Sequence, residues 1–368
     1  MNVLVTGGAG FIGSHLVDKL VDEGHQVNIF DNLEGQVHRS TPAYLNEKAT
    51  FIKGDMRDIE QLRSAIKDID IIFHQASMVG IGQSMYQINK YVDVNTLGTA
   101  KLLDLLVNEE HEVKKLIVAS SMSIYGEGAY LCQDCGEVYP ILRSEEQLKK
   151  GAWAIKCPNC GLDVREIPTK ETKPPHSTSI YAISKKDQEE MSLAVGKTYG
   201  IPVVALRYFN VFGPRQALSN PYTGVCAIFS ARIKNNNPPV IFEDGLQSRD
   251  FISVHDIVHA NILAMKSSNA DYEVFNVGTE RPTTIKEIAS NIMKLYNKNL
   301  PIEITNAYRK GDIRHCIADI SKIKSKLAFR PIVAFQSGME ELVAWGTTQE
   351  AIDRFEDAHR ELKDKGLI

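Results

Sequence analysis

No stretch of this sequence approaches the roughly 18 consecutive apolar residues that a membrane-spanning helix needs. Its apolar runs are short ones such as Val3–Val5 and Leu116–Ala119, and an integral membrane protein is excluded. Excess basic charge is missing too: 42 Lys and Arg stand against 46 Asp and Glu, a net charge of −4, which argues against a nucleic-acid partner held by electrostatics. Cysteine is scarce, six in 368 residues, too few for a disulfide scaffold. No basic or apolar leader precedes the strand-like residues that begin at Asn2, so a cytoplasmic location is expected. There is no internal repeat. What is present, 43% hydrophobic and 24% charged residues, is an ordinary globular composition, long enough for one large or two modest domains.

The first 120 residues alternate short apolar runs with helical patterns. Strands are expected at Asn2–Thr6, Gln26–Asp31, Thr50–Lys53, Ile69–His74 and Lys115–Ser120, with helices near Ile12–Glu23 and Val94–Asn108. Strands joined by crossover helices predict an α/β fold, a doubly wound parallel sheet of Rossmann type. The alternation resumes with Val203–Arg207, Val240–Ile241 and Val274–Val277, and with helical patterns at Thr283–Tyr296 and Ile320–Leu327. Two segments break the rhythm: residues 132–160, which carry four cysteines, and a charged tail with helical spacing, expected to be a surface helix.

Directly after the first strand the chain reads Gly7-Gly8-Ala9-Gly10-Phe11-Ile12-Gly13, and a helix begins there. Glycines at such a turn let the backbone approach a pyrophosphate, and the helix N-terminus supplies free N–H donors. The run can be parsed from Gly7 or from Gly8, and spacing does not choose. Asp31 ends the next strand, where a carboxylate accepts ribose hydroxyls and repels a 2′-phosphate, so NAD is expected rather than NADP. Asp55, after the third strand, is either an adenine contact or a helix N-cap. His74 reads as a packed strand-end histidine, and Ala76 lies near the phosphates or ribose.

Tyr181 and Lys185 stand at i and i+4, on one face of a helix. A tyrosine serves as a base near neutrality only where a cation stabilises its phenolate, and Lys185 is that cation. Ser121, at the end of the fifth strand, offers a hydroxyl to the same reacting oxygen. Together with Gly54-Asp55, His74-Gln75-Ala76, Asn95 to Thr99, Ser121 to Gly126, Arg207 to Pro214, Arg249-Asp250-Phe251, Asn276-Val277-Gly278 and Gly311 to Arg314, these motifs resemble the extended short-chain dehydrogenase/reductases that act on nucleotide sugars. They occur in that family's order over about residues 1–340.

The resemblance implies roles. Tyr181 would be the base, Lys185 would hold the nicotinamide ribose, and Ser121 would bond the sugar oxygen. Gly7, Gly10, Phe11, Ile12, Gly13, Asp31, Asn32, Asp55, Met56, Gln75, Ala76, Asn95, Ser120 and Tyr208, with Tyr181 and Lys185, would line a tightly bound NAD. Val79, Gln83, Ser121, Ser123, Asn210, Arg249 and Arg314 would hold a dTDP- or UDP-linked sugar, the arginines on its diphosphate. Dehydratases of the family carry Thr-Asp-Glu where this chain has Ser121-Met122-Ser123, and decarboxylases place a glutamate at the position of Ser123. The pattern that is left is similar to 4-epimerases, most nearly those of dTDP-L-rhamnose. UDP-hexose or UDP-uronate epimerisation, or a 4-keto-sugar reductase, stays open. For a 6-deoxy sugar, Met122, Val79 and Ile81 would supply an apolar wall. The implied domains are an NAD-binding unit over 1–131, 166–213 and 252–278, a nucleotide-sugar unit over 214–251 and 279–345, and a terminal helix over 346–368. Apolar residues beyond one face's need on the helices near Val94 and Tyr181 (Leu97, Leu102, Leu103, Leu105, Leu106, Met191, Leu193, Val195) imply a homodimer.

Cys132-Gln133-Asp134-Cys135-Gly136 and Cys157-Pro158-Asn159-Cys160-Gly161 are paired Cys-x-x-Cys-Gly turns. That spacing predicts a structural zinc held by all four cysteines in an insertion over 132–165, with no open coordination position for a substrate. Cys226 and Cys316 lie apart and read as plain buried thiols.

Overall fold

The computed structural model describes all 368 residues. Strands β1 (Asn2–Thr6), β2 (Gln26–Asp31), β3 (Thr50–Lys53), β4 (Ile71–His74) and β5 (Lys115–Ser121) are followed by a small antiparallel ribbon, β6 (Ala129–Cys132), β7 (Gly136–Val138) and β8 (Val164–Ile167). After the helix Ile180–Tyr199 come β9 (Val203–Tyr208), β10 (Asn210–Phe212), β11 (Val240–Ile241), β12 (Ser248–Ser253), β13 (Val274–Val277), β14 (Pro282–Thr284), β15 (Glu303–Ile304) and β16 (His315–Cys316). Seven strands form one parallel sheet in the order β13-β9-β5-β4-β1-β2-β3. Their continuous apolar character follows from burial on both faces. Val3, Val5, Phe73, Ile117 and Leu206 meet Leu16, Leu20 and Ile257 on one face, while Leu4, Ile72, Leu116 and Val203 meet Leu62, Leu102 and Leu106 on the other. Each such fully buried side chain contributes about 1.5–3 kcal/mol. The strand order reverses direction between β1 and β4, which opens a crevice at their C-terminal ends.

A second unit packs β10, β12, β14 and β16 over a separate core of Phe212, Phe229, Phe251, Ile288, Ile292, Met339 and Leu342. No helix is long and apolar enough to cross a membrane.

Three expectations change. The helix expected from Val94 instead starts as a π-helical stretch, Val92–Leu97, and becomes α-helical over Gly98–Asn108. Such wide turns recur at functional sites. This one carries Asn95 beneath the loop after β4, where its amide bonds the Met78 backbone N–H (2.7 Å) and the Ser184 hydroxyl (2.9 Å). The supposed surface apolars mostly belong to the chain's own core: Leu102, Leu103, Leu105 and Leu106 are buried, and Met191, Leu193 and Val195 pack against them. Leu97, with Ile183 beside Tyr181, stays exposed at 49% and 43%. Finally, the expected boundary at 345/346 falls inside the helix Phe335–Thr348, and the tail forms its own helix, Phe355–Asp364. Its apolar positions dock rather than face water: Ala358 and Leu362 are buried, and Glu361 accepts hydrogen bonds from Tyr86 (2.7 Å) and Tyr222.

His74 ends β4 fully buried, held between the hydroxyls of Thr6 and Thr99 at 2.8 Å each. Burial lowers its pKa to about 3, with the Lys185 charge adding to the effect. The unfolded chain takes up this proton near pH 6.5 while the folded one keeps the ring neutral. The contribution to stability is therefore present above pH 6.5 and is lost as pH falls toward 3. Between pH 7 and 5.5 the wild type should lose about 1 kcal/mol more unfolding free energy than His74→Gln, measured by denaturant titration. Parallel pH dependence in the two proteins would show that His74 titrates normally when folded.

Candidate active site and metal cluster

The crevice between β1 and β4 is lined by Gly7, Gly10, Phe11, Ile12 and Gly13 from the first turn and by Gln75 to Val79 from the loop after β4. Of the two glycine registers, the structure adopts the one from Gly7. Gly7 has φ 68°, and a side chain there would meet the Ala76 backbone at 2.7 Å. One on Gly13 would meet the Gly7 carbonyl at 2.2 Å. Gly8 packs under the turn against Val5 and Ile29 instead. Gly10 is the N-cap of the helix Phe11–Asp22 and has no side chain to satisfy the first N–H groups; such free donors suit a pyrophosphate.

Asp31 lies at the crevice and accepts the Ala9 N–H (3.1 Å) and the Leu33 N–H (2.8 Å). Each of its oxygens keeps a lone pair for a ribose hydroxyl. Asp55 is no helix cap: Asp58 caps the helix Ile59–Ala65. Asp55 faces the cavity, with the Arg57 fork on its carboxylate at 2.7 and 2.9 Å, and that fork holds its pKa well below the usual range. Every predicted cofactor residue lines this one cavity except Asn95, which acts from behind through Met78. Glu34, His38 and Gln216 also line it. Sequence reasoning missed them, because they come from loops with no motif of their own. The residues present thus fit NAD: a cradle that added side chains would fill, and an acid where a 2′-hydroxyl belongs.

At the other end of the cavity stand Ser121, Tyr181 and Lys185. Ser179 caps the helix that carries the pair by accepting the Ala182 N–H (3.1 Å), worth about 1 kcal/mol, and Gly200 ends it with φ 73°. Burial raises the Tyr181 pKa, and the Ser121 hydroxyl pulls it partly back. Burial lowers Lys185 to about 7, against the pull of Glu189. Its ammonium donates to Gln188 (2.7 Å), whose amide donates to Thr99 (2.8 Å), so it has one fixed position.

The predicted substrate residues divide. Val79 faces the cavity. Ser123 Oγ and Asn210 Oδ1 are buried without any hydrogen-bond partner, as is Ser177 Oγ. Gln83 is turned away, bonded to Gln36 and Tyr91. Arg249 donates to the carbonyls of Ser248, Ile313 and Arg314 at 2.7–2.9 Å. Arg314 is buried on Asp244 (2.7 and 2.9 Å) and Glu243 (2.8 Å), acids of the turn before β12, the strand beside β16. The nearby Arg309, not foreseen, is the more open cation, lying 5.0 Å over the Phe242 ring. Met122 is buried in the main core and does not belong to an apolar wall; Val79 and Ile81 are exposed, at 38% and 42%, and of the two only Val79 lines the cavity.

All four sulfurs of Cys132, Cys135, Cys157 and Cys160 lie within 4.8 Å of one another, and the Cys132 and Cys160 sulfurs are 3.5 Å apart. None is in a disulfide. Thiolates 2.3 Å from one tetrahedral ion would be about 3.8 Å apart, so the set fits zinc. Gly136 and Gly161 follow the second cysteine of each pair with φ 71° and 76°. Burial opposes ionisation of Cys157, but the N–H groups of Asn159 and Cys160 outweigh it and bring the thiol down to about 7. Cys226 and Cys316 are buried, as expected.

The NAD dependent epimerase/dehydratase family matches residues 3–148 and 158–278. The dTDP-L-rhamnose 4-epimerase of Burkholderia thailandensis is 32% identical over 347 residues, 93% of this chain and 94% of that protein. Among solved structures, the UDP-N-acetylglucosamine 4-epimerase of Methanobrevibacter ruminantium in complex with UDP-N-acetylmuramic acid superposes with a TM-score of 0.77 at 35% identity, covering 95% of this chain and 99% of that one. The Thermus thermophilus UDP-glucose 4-epimerase in complex with NAD does so at 0.76 and 29%, covering 95% and 100%.

Elemental analysis of the purified protein should find about one zinc per chain, and Cys157→Ser should lower the thermal midpoint, because metal binding at such a site is also folding free energy. A metal-free protein with the same midpoint would rule the site out.

Proposed function

The chain belongs to the NAD-dependent epimerase/dehydratase family, and from that premise we propose that it is a nucleotide-sugar 4-epimerase acting on dTDP-L-rhamnose to give dTDP-6-deoxy-L-talose. The carrying observation is the set of acids at the cavity. They are Asp31, the last residue of β2, and Glu34 and Asp55 on the loops after β2 and β3, while the lining around Tyr181 has hydroxyls and no carboxyl group. Elimination of a sugar hydroxyl needs a proton donor there, worth about 10²- to 10⁴-fold in rate, and Met122 is both aprotic and buried. Epimerisation needs only one proton shuttle.

Tyr181 takes the proton of the sugar 4-hydroxyl, with Ser121 bonding the same oxygen. Lys185, fixed by Gln188, favours the phenolate by its charge. NAD, when bound, supplies the hydride acceptor and donor for C4. The resulting ketone turns over, Tyr181 returns the proton, and the opposite configuration results. Ser123 and Asn210 offer their unpaired atoms to the substrate, and Arg249 offers charge to its diphosphate. Exposed Val79 and Ile81 suit a 6-methyl group, which favours the 6-deoxy sugar over UDP-hexoses or UDP-uronates. Exposed Leu97 and Ile183 mark the face through which two copies would form a homodimer.

Incubation with dTDP-L-rhamnose and no added cofactor should give the C4 epimer by NMR. Reduction of a nucleotide 4-keto sugar with stoichiometric consumption of added NADH, and no epimer formed from dTDP-L-rhamnose, would make the protein a reductase; a 4-keto-6-deoxy product from dTDP-glucose would make it a dehydratase. Tyr181→Phe should lower turnover by about 10²- to 10⁴-fold while the NAD content stays unchanged; near-normal turnover would remove Tyr181 as the base.

A further inference from the structure

The four-cysteine insertion is joined to the rest of the protein by buried charge. Arg143, within it, is 8% exposed and sends a two-pronged fork to Glu243 at 2.8 and 2.9 Å. The same guanidinium reaches the carbonyls of Asp312 and Trp153 at 3.3 Å. Glu243 in turn receives Arg314 at 2.8 Å, so one buried carboxylate is shared by two arginines. Just before the insertion, buried Glu127 accepts the N–H groups of Arg314 (2.7 Å) and His315 (2.8 Å) and the Tyr130 hydroxyl (2.6 Å).

These contacts converge on two stretches, 242–244 and 312–315, which also position two cations, Arg249 and Arg309. The carbonyls of Ile313 and Arg314 fix Arg249. Arg309 lies on the ring of Phe242 and pairs with Asp312 at 2.8 Å. Glu243 itself has φ 55°, a left-handed conformation that disfavours a non-glycine residue and persists only where the surroundings impose it. Without the fork, only Arg314 on the Glu243 carboxylate (2.8 Å) and the Glu243 N–H on the Ala307 carbonyl (2.7 Å) hold that conformation.

We propose that Arg143 is a positioning residue: from inside the cysteine insertion it holds the Glu243 turn, and so sets Arg249 and Arg309 as the wall that takes a nucleoside diphosphate. The inference rests on the reading of this cleft as a nucleotide-sugar site. It gives the insertion a task, control of nucleotide affinity, separate from NAD binding and from the Tyr181 chemistry.

The test uses the full-length, NAD-loaded protein, titrated calorimetrically with UDP and dTDP. Arg143→Met should weaken the tighter of the two nucleotides at least tenfold. For the sugar nucleotide that the wild type epimerises, KM should rise by a similar factor with kcat within twofold, and NAD and zinc per chain should be unchanged. Arg143→Lys keeps the buried charge but gives up the fork; it should fall between the two and carries the test where the methionine variant does not fold. Nucleotide affinity within twofold of wild type in the folded variants overturns the inference, as does a parallel loss of kcat and NAD, which would mean general loosening. Wild-type protein that binds neither nucleotide overturns the functional reading beneath it.

Discussion

The carboxylate of Glu189 fixes the position on which the chemistry depends. It accepts the Ser120 hydroxyl (2.6 Å) and both Nε and Nη2 of Arg207 (3.0 and 2.6 Å), and so ties the helix of Tyr181 to β5 and β9 at once. Arg207 passes the constraint on through the Tyr125 hydroxyl (2.7 Å) to Asn276 (2.7 Å), which reaches β13. Glu189 stands one helical turn beyond Lys185 and two beyond Tyr181, so the register of the pair against Ser121 follows from it. Taking both charges out of water costs several kcal/mol each. The pair is tolerable because its hydrogen bonds are charge-assisted and nearly complete, and its value lies in the one geometry it permits.

That cluster explains why the fold was more legible than the site. Strand positions in a parallel sheet obey a local rule: both faces are covered, so the run is apolar, and the seven strands appear as such in the sequence. The cofactor end obeys a second local rule, because glycines and an acid act where the chain places them, at strand ends. Asn95 is the instructive exception. A π-helical turn carries its amide under Met78 rather than into the cavity lining.

The substrate end follows no such rule. Arg314 and Gln83 were assigned by place in a motif, but what a long side chain touches is decided by partners distant in sequence: Asp244 and Glu243 for the first, Gln36 and Tyr91 for the second. The pairing of Glu189 with Arg207 was invisible for the same reason, because the two find each other only once β9 lies beside β5. The tail shows the rule from the other side. Its charge suggested solvent, yet three apolar positions on one face, Phe355, Ala358 and Leu362, sufficed to dock it.

The insertion depends on the same distinction between local and distant constraint. Its own core is Tyr130, Cys132, Val138, Ile155 and Cys157, far too small to hold a fold by hydrophobic burial. Two of those five are candidate metal ligands, so an ion bound there would be part of core formation. A unit stabilised in that way has no need of the main sheet, and its attachment could have been a flexible tether. Instead it is clamped at both Glu127 and Arg143 by groups that are themselves buried, at a desolvation cost that a mere appendage would not justify. At the far end of the clamp lies the Glu243 turn, a left-handed non-glycine position whose carboxylate Arg143 and Arg314 share, so a rigid attachment passes the placement of the insertion on to the residues around Arg314.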